Sequence, residues 1–169
     1  MGSEMCIRDR LGPIANPADV TRQLVGVFSK DWVEPVAKVL KSLGSERAWV
    51  VHGSDGLDEI TTTGKTKVAS LEDGAVTIFE IHPSDAGIKL AKPEQLVGGE
   101  PEENANALLS IFNGERNAYR DIVVLNSAAC LIIAGKAKNL TEGASIASNM
   151  IDYGKAMEKL EALKEITNR

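Results

Sequence analysis

Residues 23–52 alternate between a strand pattern, a helix pattern and a second strand pattern, and this order limits the fold sharply. Residues 23–28 are short, alternating and β-branched, which predicts a strand. In residues 31–44, DWVEPVAKVLKSLG, the apolar positions fall on one helical face and a glycine ends the pattern. Residues 47–52 are apolar on both faces, as is typical of an interior strand in a covered parallel sheet. The three segments together predict a βαβ unit.

The remainder of the chain extends this pattern into an α/β fold. Residues 66–81 carry β-branched residues on both sides of Asp73-Gly74, which predicts a tight hairpin. From residue 101 the apolar period becomes helical, over residues 101–114, 118–136 and 141–166, with the last helix bent or broken near Tyr153-Gly154. We therefore predict an α/β sheet that contains one βαβ unit and one hairpin and is flanked by helices.

Charge and cysteine content narrow the classes of function. The formal net charge of -5 leaves no broad cationic surface, so nucleic acid is not expected as a partner. No apolar run reaches the roughly 20 residues needed to cross a bilayer, so no membrane association is expected. Cys6 and Cys130 are too few for a disulfide framework or a four-cysteine zinc site. We therefore predict a cytoplasmic location.

The first ten residues, MGSEMCIRDR, differ from everything that follows. They have no apolar core of a signal peptide and no helical period. The stretch MCIRDR also resembles translated sequencing-adapter DNA. We predict that residues 1–10 are a non-native or unstructured leader and that residues 11–169 form part of an α/β domain.

Two glycine-containing stretches are weak candidates for phosphate or ligand binding. Gly64-Lys65-Thr66 resembles the end of a P-loop, but Glu59 stands where that motif needs a glycine, and the segment leads into a strand. A simple turn is therefore favoured there. Gly98-Gly99 precedes a predicted helix that contains Asn104, and paired glycines allow a backbone to approach a ligand. Both a turn and a binding site remain open at this second position.

The histidines and the second cysteine offer little chemistry. His52 and His82 are too few to form a histidine metal cluster. His52 ends a strand and could contact a substrate, although a structurally satisfied histidine is favoured. Cys130 lies within the apolar stretch AACLIIAG, which predicts a packed small residue rather than a nucleophile.

The strongest local candidate is the stretch VVHGSDGLDEI at residues 50–60, where a strand runs into a loop that carries Asp55, Asp58 and Glu59. Ligands in open α/β sheets bind at the carboxyl ends of strands, which is where these acids stand. Mg²⁺ commonly uses one or two carboxylates together with waters and substrate phosphates. The three acids could hold a metal, act as acid and base, or cap the turn, and the residues alone leave these roles open.

Several motifs, taken in order, resemble the C-terminal half of the anthranilate phosphoribosyltransferase family. The resemblance runs from residue 11 to residue 163 in one register, and VVHGSDGLDEI is its most specific part. The matching motifs are LGPIANPA at 11–18, GVFS at 26–29, VVHGSDGLDEI at 50–60, GG at 98–99 with ENA at 103–105, LNSAACLIIAGKA at 125–137 and IDYGKAMEKLEAL at 151–163.

This resemblance implies a fold like the C-terminal domain of nucleoside phosphorylases and phosphoribosyltransferases, and a glycosyltransferase of tryptophan biosynthesis. Such an enzyme transfers phosphoribosyl from phosphoribosyl pyrophosphate (PRPP) to anthranilate, and a bound Mg²⁺ stabilises the charge that grows on the leaving pyrophosphate. By matching motif, Asp58 and Glu59 would be the magnesium ligands. Asp55 would shape the turn.

Several family motifs are missing from this sequence. It has no GTGGD-type glycine-rich loop, no N-x-S-T segment, no KHGN loop and no arginine of the kind that, in the family, stands before LGPIANPA and binds the anthranilate carboxylate. In the family the three loops hold PRPP, and an N-terminal helical domain forms the homodimer. We therefore expect this chain to be an incomplete α/β domain that is inactive by itself. We also expect any homodimer to form through a region that it lacks.

Three alternatives remain. A class II nucleoside phosphorylase-like protein would share the fold, but it would not need the acidic stretch at residues 50–60. A noncatalytic relative that binds nucleic acid should carry a basic surface, which the net charge of -5 disfavours. A scaffold or orphan fragment would account for the missing motifs.

Overall fold

The computed structural model describes Ile14 and residues 18–168, which form one mixed sheet with helices on both faces. The strands are β1 (Arg22–Gly26), β2 (Arg47–Gly53), β3 (Thr66–Glu72) and β4 (Ala75–Ile81), in the order β1-β2-β3-β4 across the sheet. The predicted leader at residues 1–10 and most of the loop that follows it lie outside the described residues.

The predicted βαβ unit is confirmed. Helix α1 (Val33–Ser42) connects β1 to β2, and the two strands pair in parallel, with Val25 opposite Val50. A short 3₁₀ turn before α1 begins after Ser29, whose hydroxyl accepts a hydrogen bond from the Asp31 amide. Beyond β2 the pairing becomes antiparallel, so the interior position predicted for β2 is right while the sheet as a whole is mixed.

The predicted hairpin is also confirmed. Strands β3 and β4 pair in antiparallel register on either side of Asp73 and Gly74. Both turn residues have positive φ angles, 50° at Asp73 and 73° at Gly74. This conformation matches the twist of the flanking strands and explains why the Asp-Gly pair is such a clear signal.

Strand β2 alternates its side chains between two hydrophobic cores. Ala48 and Val50 join the core beneath α1, whereas Trp49 and Val51 join the larger core on the opposite face. A strand buried on both faces has no polar stripe, which accounts for its continuous apolar sequence. The sheet is therefore the middle layer of three.

Four helices cover the face opposite α1. They are α2 (Pro101–Phe112), α3 (Ala118–Ile133), α4 (Leu140–Asp152) and α5 (Lys155–Thr167). The break predicted near Tyr153-Gly154 is present, because Gly154 has a φ angle of 72° and separates α4 from α5. Asn117 and Asn139 cap α3 and α4 by accepting hydrogen bonds from backbone amides. None of the helices in the described part of the chain has the length and apolarity that a bilayer crossing requires.

Candidate active site

The acidic loop, residues 54–60, lies at the carboxyl ends of the two parallel strands. It follows Gly53, the last residue of β2, and its Asp58 backbone lies against Gly26, the last residue of β1. A β-carbon on Gly26 would overlap the Asp58 carbonyl, so the close approach requires a glycine there. The sheet thus brings the loop to the edge where open α/β folds bind ligands.

Asp55 has a structural role in this loop, in agreement with the turn-shaping role that the resemblance implies. Its carboxylate accepts hydrogen bonds from the hydroxyls of Thr61 and Thr63 at 2.5 and 2.6 Å and from the Leu57 amide at 3.2 Å. Burial raises the pKa of the Asp55 carboxyl, but these hydrogen bonds outweigh burial and hold the pKa below its ordinary value. Asp55 therefore closes the loop instead of facing the groove.

Asp58 and Glu59, here called the acidic pair, are both exposed and both line the groove described below. Neither carboxylate forms a salt bridge with any of the residues that the structure describes. Burial and the neighbouring charge of Asp58 raise the pKa of the Glu59 carboxyl. Two adjacent carboxylates with uncompensated charge are a suitable donor set for a divalent cation, because the cation removes their mutual repulsion.

The acidic pair would supply only part of a coordination shell. Within residues 18–168 no group of three or more histidine, cysteine, aspartate or glutamate side chains could surround a metal ion. Oxygen ligands from water or from a substrate would complete the shell, as is usual for Mg²⁺.

The end of the acidic loop is tied to α3 by one side chain. The carboxamide of Asn126 accepts a hydrogen bond from the Ile60 amide at 3.0 Å and donates one to the Ile60 carbonyl at 2.9 Å. Ile60 is buried, and its backbone polar groups would otherwise lie in an apolar environment. Asn126 thus connects two segments that lie 66 positions apart in the sequence.

A groove of about 740 Å³ opens beside the acidic pair. Its walls are mainly apolar, and one wall is formed by α3. An apolar cleft with a few charged groups at one end is the usual form of a small-molecule site. The lining side chains include Leu24, Phe112, Val123, Leu131 and Met150 in addition to Asp58 and Glu59.

Cys130 departs from its sequence prediction. The apolar stretch predicts a packed residue, but Cys130 is exposed in the wall of the groove. The segment around it faces the core on one side and the groove on the other, so an apolar sequence does not imply burial at every position. The surroundings still raise the pKa of the Cys130 thiol by desolvation, which does not favour a nucleophilic role.

His52 is held by the backbone. Its Nδ1 lies 2.8 Å from the Val27 carbonyl oxygen, and because a carbonyl only accepts, Nδ1 carries the proton in this contact. This agrees with the favoured prediction of a structurally satisfied histidine. His82 begins a short 3₁₀ turn, where its ring contacts the Ser84 hydroxyl.

The two glycine-containing stretches lie in the segments that lead into β3 and α2. Gly64-Lys65-Thr66 leads directly into β3, as the sequence indicates, and not into the helix that a P-loop requires. Asn104 accepts a hydrogen bond from the Gly99 amide and donates one to the Gly99 carbonyl, at 2.9 and 2.8 Å. Here the amide side chain fixes the turn that precedes α2.

Sequence patterns miss two residues that shape the site. In the sequence Asn126 is only a polar interruption of an apolar helix, and Gly26 is only part of the GVFS motif. A polar side chain within an apolar helix must find a hydrogen-bond partner, and this requirement is the available signal for Asn126. The partner itself cannot be named without the fold.

Residues 5–157 match the family described as "Glycosyl transferase family, a/b domain". The chain belongs to this family. The sequence is 60% identical over 158 residues to an anthranilate phosphoribosyltransferase from Azospirillum brasilense. That alignment covers 94% of this chain but only 44% of the relative.

Solved structures of the family agree with the fold. The anthranilate phosphoribosyltransferase from Thermus thermophilus superposes with a TM-score of 0.82 at 37% identity, over 90% of this chain and 45% of that one. An anthranilate phosphoribosyltransferase from Saccharomyces cerevisiae, described as a complex with PRPP and Mg, has a TM-score of 0.79 at 29% identity, over 89% and 44% of the two chains. The chain therefore spans less than half the length of the relatives that it matches.

Proposed function

We propose that this chain carries the metal-binding part of an anthranilate phosphoribosyltransferase, with Asp58 and Glu59 as ligands of Mg²⁺. The observation that supports this most directly is the placement of two adjacent carboxylates at the carboxyl ends of β1 and β2, beside the groove. Neither carboxylate has a salt-bridge partner among the residues that the structure describes. The Saccharomyces cerevisiae relative described with PRPP and Mg supports the same metal and substrate. The names of the relatives favour this activity over the nucleoside phosphorylase-like and nucleic-acid-binding alternatives.

In the proposed reaction the amine of anthranilate attacks the ribosyl C1 of PRPP and pyrophosphate leaves. A bound Mg²⁺ would supply stabilisation of the negative charge on the leaving pyrophosphate. Asp58 and Glu59 would provide oxygen ligands on the protein side. Asp55 keeps the loop closed through its hydrogen bonds with Thr61 and Thr63. The backbone that carries the acidic pair is therefore already in place before a ligand binds.

We further propose that the chain does not catalyse the transfer by itself. The sequence lacks the glycine-rich, N-x-S-T and KHGN segments that the family resemblance assigns to PRPP. Substrate positioning supplies much of the rate in a transfer of this kind, so a metal site alone is not expected to give measurable turnover. The proposal includes a cytoplasmic location and a homodimer that forms through residues outside this sequence.

The metal pair is tested by titrating the chain with Mn²⁺, a paramagnetic substitute for Mg²⁺, and measuring free Mn²⁺ by electron paramagnetic resonance. A double variant with Asp58→Asn and Glu59→Gln should lose this binding. The matched control is the double variant with Glu94→Gln and Glu102→Gln, which removes the same charge outside the groove and should bind as the wild type does. Equal binding by both double variants contradicts the assignment.

Inactivity of the isolated chain is tested by incubating it with PRPP, anthranilate and Mg²⁺. No phosphoribosyl anthranilate should form. Addition of the part of the Azospirillum brasilense relative that this chain does not cover should restore turnover if the two parts associate. Product formation by the chain alone would overturn this part of the proposal.

A further inference from the structure

The Asn126 side chain on α3 holds the backbone of one residue of the acidic loop. Its Oδ1 accepts from the Ile60 amide at 3.0 Å, and its Nδ2 donates to the Ile60 carbonyl at 2.9 Å and to the Ile122 carbonyl at 3.0 Å. The first two hydrogen bonds satisfy both backbone polar groups of Ile60, its amide and its carbonyl. The third bond ties the carboxamide to its own helix, so its orientation is fixed.

The anchor of this contact is rigid. Leu125 and Ala129, the neighbours of Asn126 on α3, are completely buried in the larger core. Close-packed interiors hold side chains in single arrangements, so α3 presents the Asn126 carboxamide at a fixed place. Ile60 is itself completely buried. The contact therefore joins the loop to the close-packed core of the molecule.

The residue held by this contact is the immediate neighbour of the acidic pair. Glu59 precedes Ile60 and is exposed to the groove, and Asp58 precedes Glu59. On the other side, the Asp58 carbonyl lies against Gly26 in β1, where no β-carbon is present. The short segment of residues 58–60 is therefore held at one end by Gly26 and at the other by Asn126.

We infer that Asn126 is a positioning residue for the acidic pair: its carboxamide holds the Ile60 backbone so that Asp58 and Glu59 keep the geometry that receives a divalent cation. This inference rests on the proposed metal function of the pair. Groups that orient metal ligands contact the ligands and not the ion, and their loss commonly lowers metal affinity by about 10- to 100-fold. Asn126 also lines the groove, but the three hydrogen bonds of its carboxamide all go to the backbone of Ile60 and Ile122.

The test measures Mn²⁺ affinity of the full chain and of Asn126→Ala by electron paramagnetic resonance, well below the unfolding temperature. Asn126→Ala should raise the Kd for Mn²⁺ by about tenfold or more. The control is Asn139→Ala, which also removes an asparagine hydrogen bond, here to the Glu142 amide at the start of α4. This control lies outside the groove lining and should leave the Kd unchanged.

Amide hydrogen exchange gives a second measurement that does not depend on the metal. In Asn126→Ala the Ile60 amide should exchange faster, because it loses its acceptor, while amides of β2 should be unchanged. An unchanged Mn²⁺ affinity in Asn126→Ala overturns the inference, and so does an equal loss of affinity in Asn139→Ala.

A further variant keeps the inference testable if Asn126→Ala does not fold. Gly26→Ala should push the Asp58 carbonyl away from β1 and lower Mn²⁺ affinity through the other end of the same segment. Unchanged affinity in this variant counts against positioning of the segment. If the double variant with Asp58→Asn and Glu59→Gln binds Mn²⁺ as the wild type does, the metal assignment itself is wrong. Exchange of the Ile60 amide then decides separately whether Asn126 holds the loop.

Discussion

The backbone carbonyl of Asp58 lies against Gly26, in the space that a β-carbon on Gly26 would occupy. Gly26 ends β1 and Asp58 follows β2, so the contact links the two parallel strands at their carboxyl ends. It places the acidic pair over the edge of the sheet. A glycine is therefore required at this position of the GVFS motif for a steric reason, and that reason is visible only in the folded chain.

Gly26→Ala should destabilise the protein, because the added methyl group must displace backbone. Overpacking of this kind costs about 1–3 kcal/mol in the free energy of unfolding, measured by urea denaturation. The control is Gly98→Ala, where the nearest atom to an added β-carbon, Asn104 Oδ1, lies at 3.4 Å. Equal unfolding midpoints for the two variants would contradict the steric explanation.

Asp55 should make the free energy of unfolding depend on pH in the acidic range. Burial raises the pKa of its carboxyl, but the hydrogen bonds from Thr61, Thr63 and Leu57 outweigh burial, so the folded pKa lies below its ordinary value. A carboxyl of this kind stabilises the folded state above its unfolded pKa of about 3.9, and the contribution is lost as pH falls through the folded pKa. The contribution of Asp55 to the free energy of unfolding therefore decreases on acidification.

The measurement compares the free energy of unfolding of the wild type with that of Asp55→Asn at several pH values. Hydrogen bonds to a charged acceptor are stronger than those to a neutral one, but solvent screens a partly exposed carboxylate, so near neutral pH the variant should be less stable by about 1 kcal/mol. The difference should shrink as pH is lowered below about 4. A difference that is constant over this interval would show that the carboxylate charge has no part in closing the loop.

The sequence predicts those elements whose cause is local. Asp73 and Gly74 determine the hairpin turn through their own backbone angles, and Gly154 ends a helix in the same way. The alternation of β2 between two cores follows from its apolar sequence. These features need only neighbouring residues, so a pattern of a few positions is sufficient to recognise them.

The features that sequence patterns miss depend on residues that are distant in the sequence. Nothing near Asn126 indicates that it will bind Ile60, which lies 66 positions earlier. Cys130 is similar, because the apolar residues around it do not reveal which side of α3 faces the core and which faces the groove. The acidic pair is identified through a motif resemblance, since three neighbouring acids have too many possible uses by themselves.

Cys130 should be open to reagents in the native chain. In a Cys6→Ser background, one thiol should react with a small aromatic disulfide reagent without denaturant, because Cys130 is exposed in the groove. The reaction should be slower than that of free cysteine at neutral pH and should accelerate with rising pH, since burial raises the pKa of this thiol. Cys130→Ser in the same background is the control. Labelling that appears only in urea would show that the groove is covered.

Breaking the ion pair between Arg120 and Asp152 should cost more stability than breaking an exposed pair. The Arg120 side chain is 5% exposed and donates to the Asp152 carboxylate at 2.7 Å, which joins the start of α3 to the end of α4. Asp152→Asn leaves the buried Arg120 guanidinium without its ion-pair partner and also breaks the exposed contact between Asp152 and Arg116 at 3.4 Å, so it should lower the free energy of unfolding by about 3 kcal/mol. The control, Glu158→Gln, breaks an exposed pair with Lys155 and should cost less than about 1 kcal/mol.

A double variant distinguishes uncompensated charge from lost packing at this position. Arg120→Met removes the buried guanidinium while keeping a long apolar side chain, so adding it to Asp152→Asn should recover part of the lost stability. The chain would then unfold at a higher urea concentration than Asp152→Asn alone. If the double variant is instead less stable than either single variant, the guanidinium contributes mainly through packing and its other contacts, including the one at 3.4 Å to the Ser148 carbonyl.

Because Arg120 and Asn126 lie on the same helix, a loosened α3 should also increase exchange of the Ile60 amide.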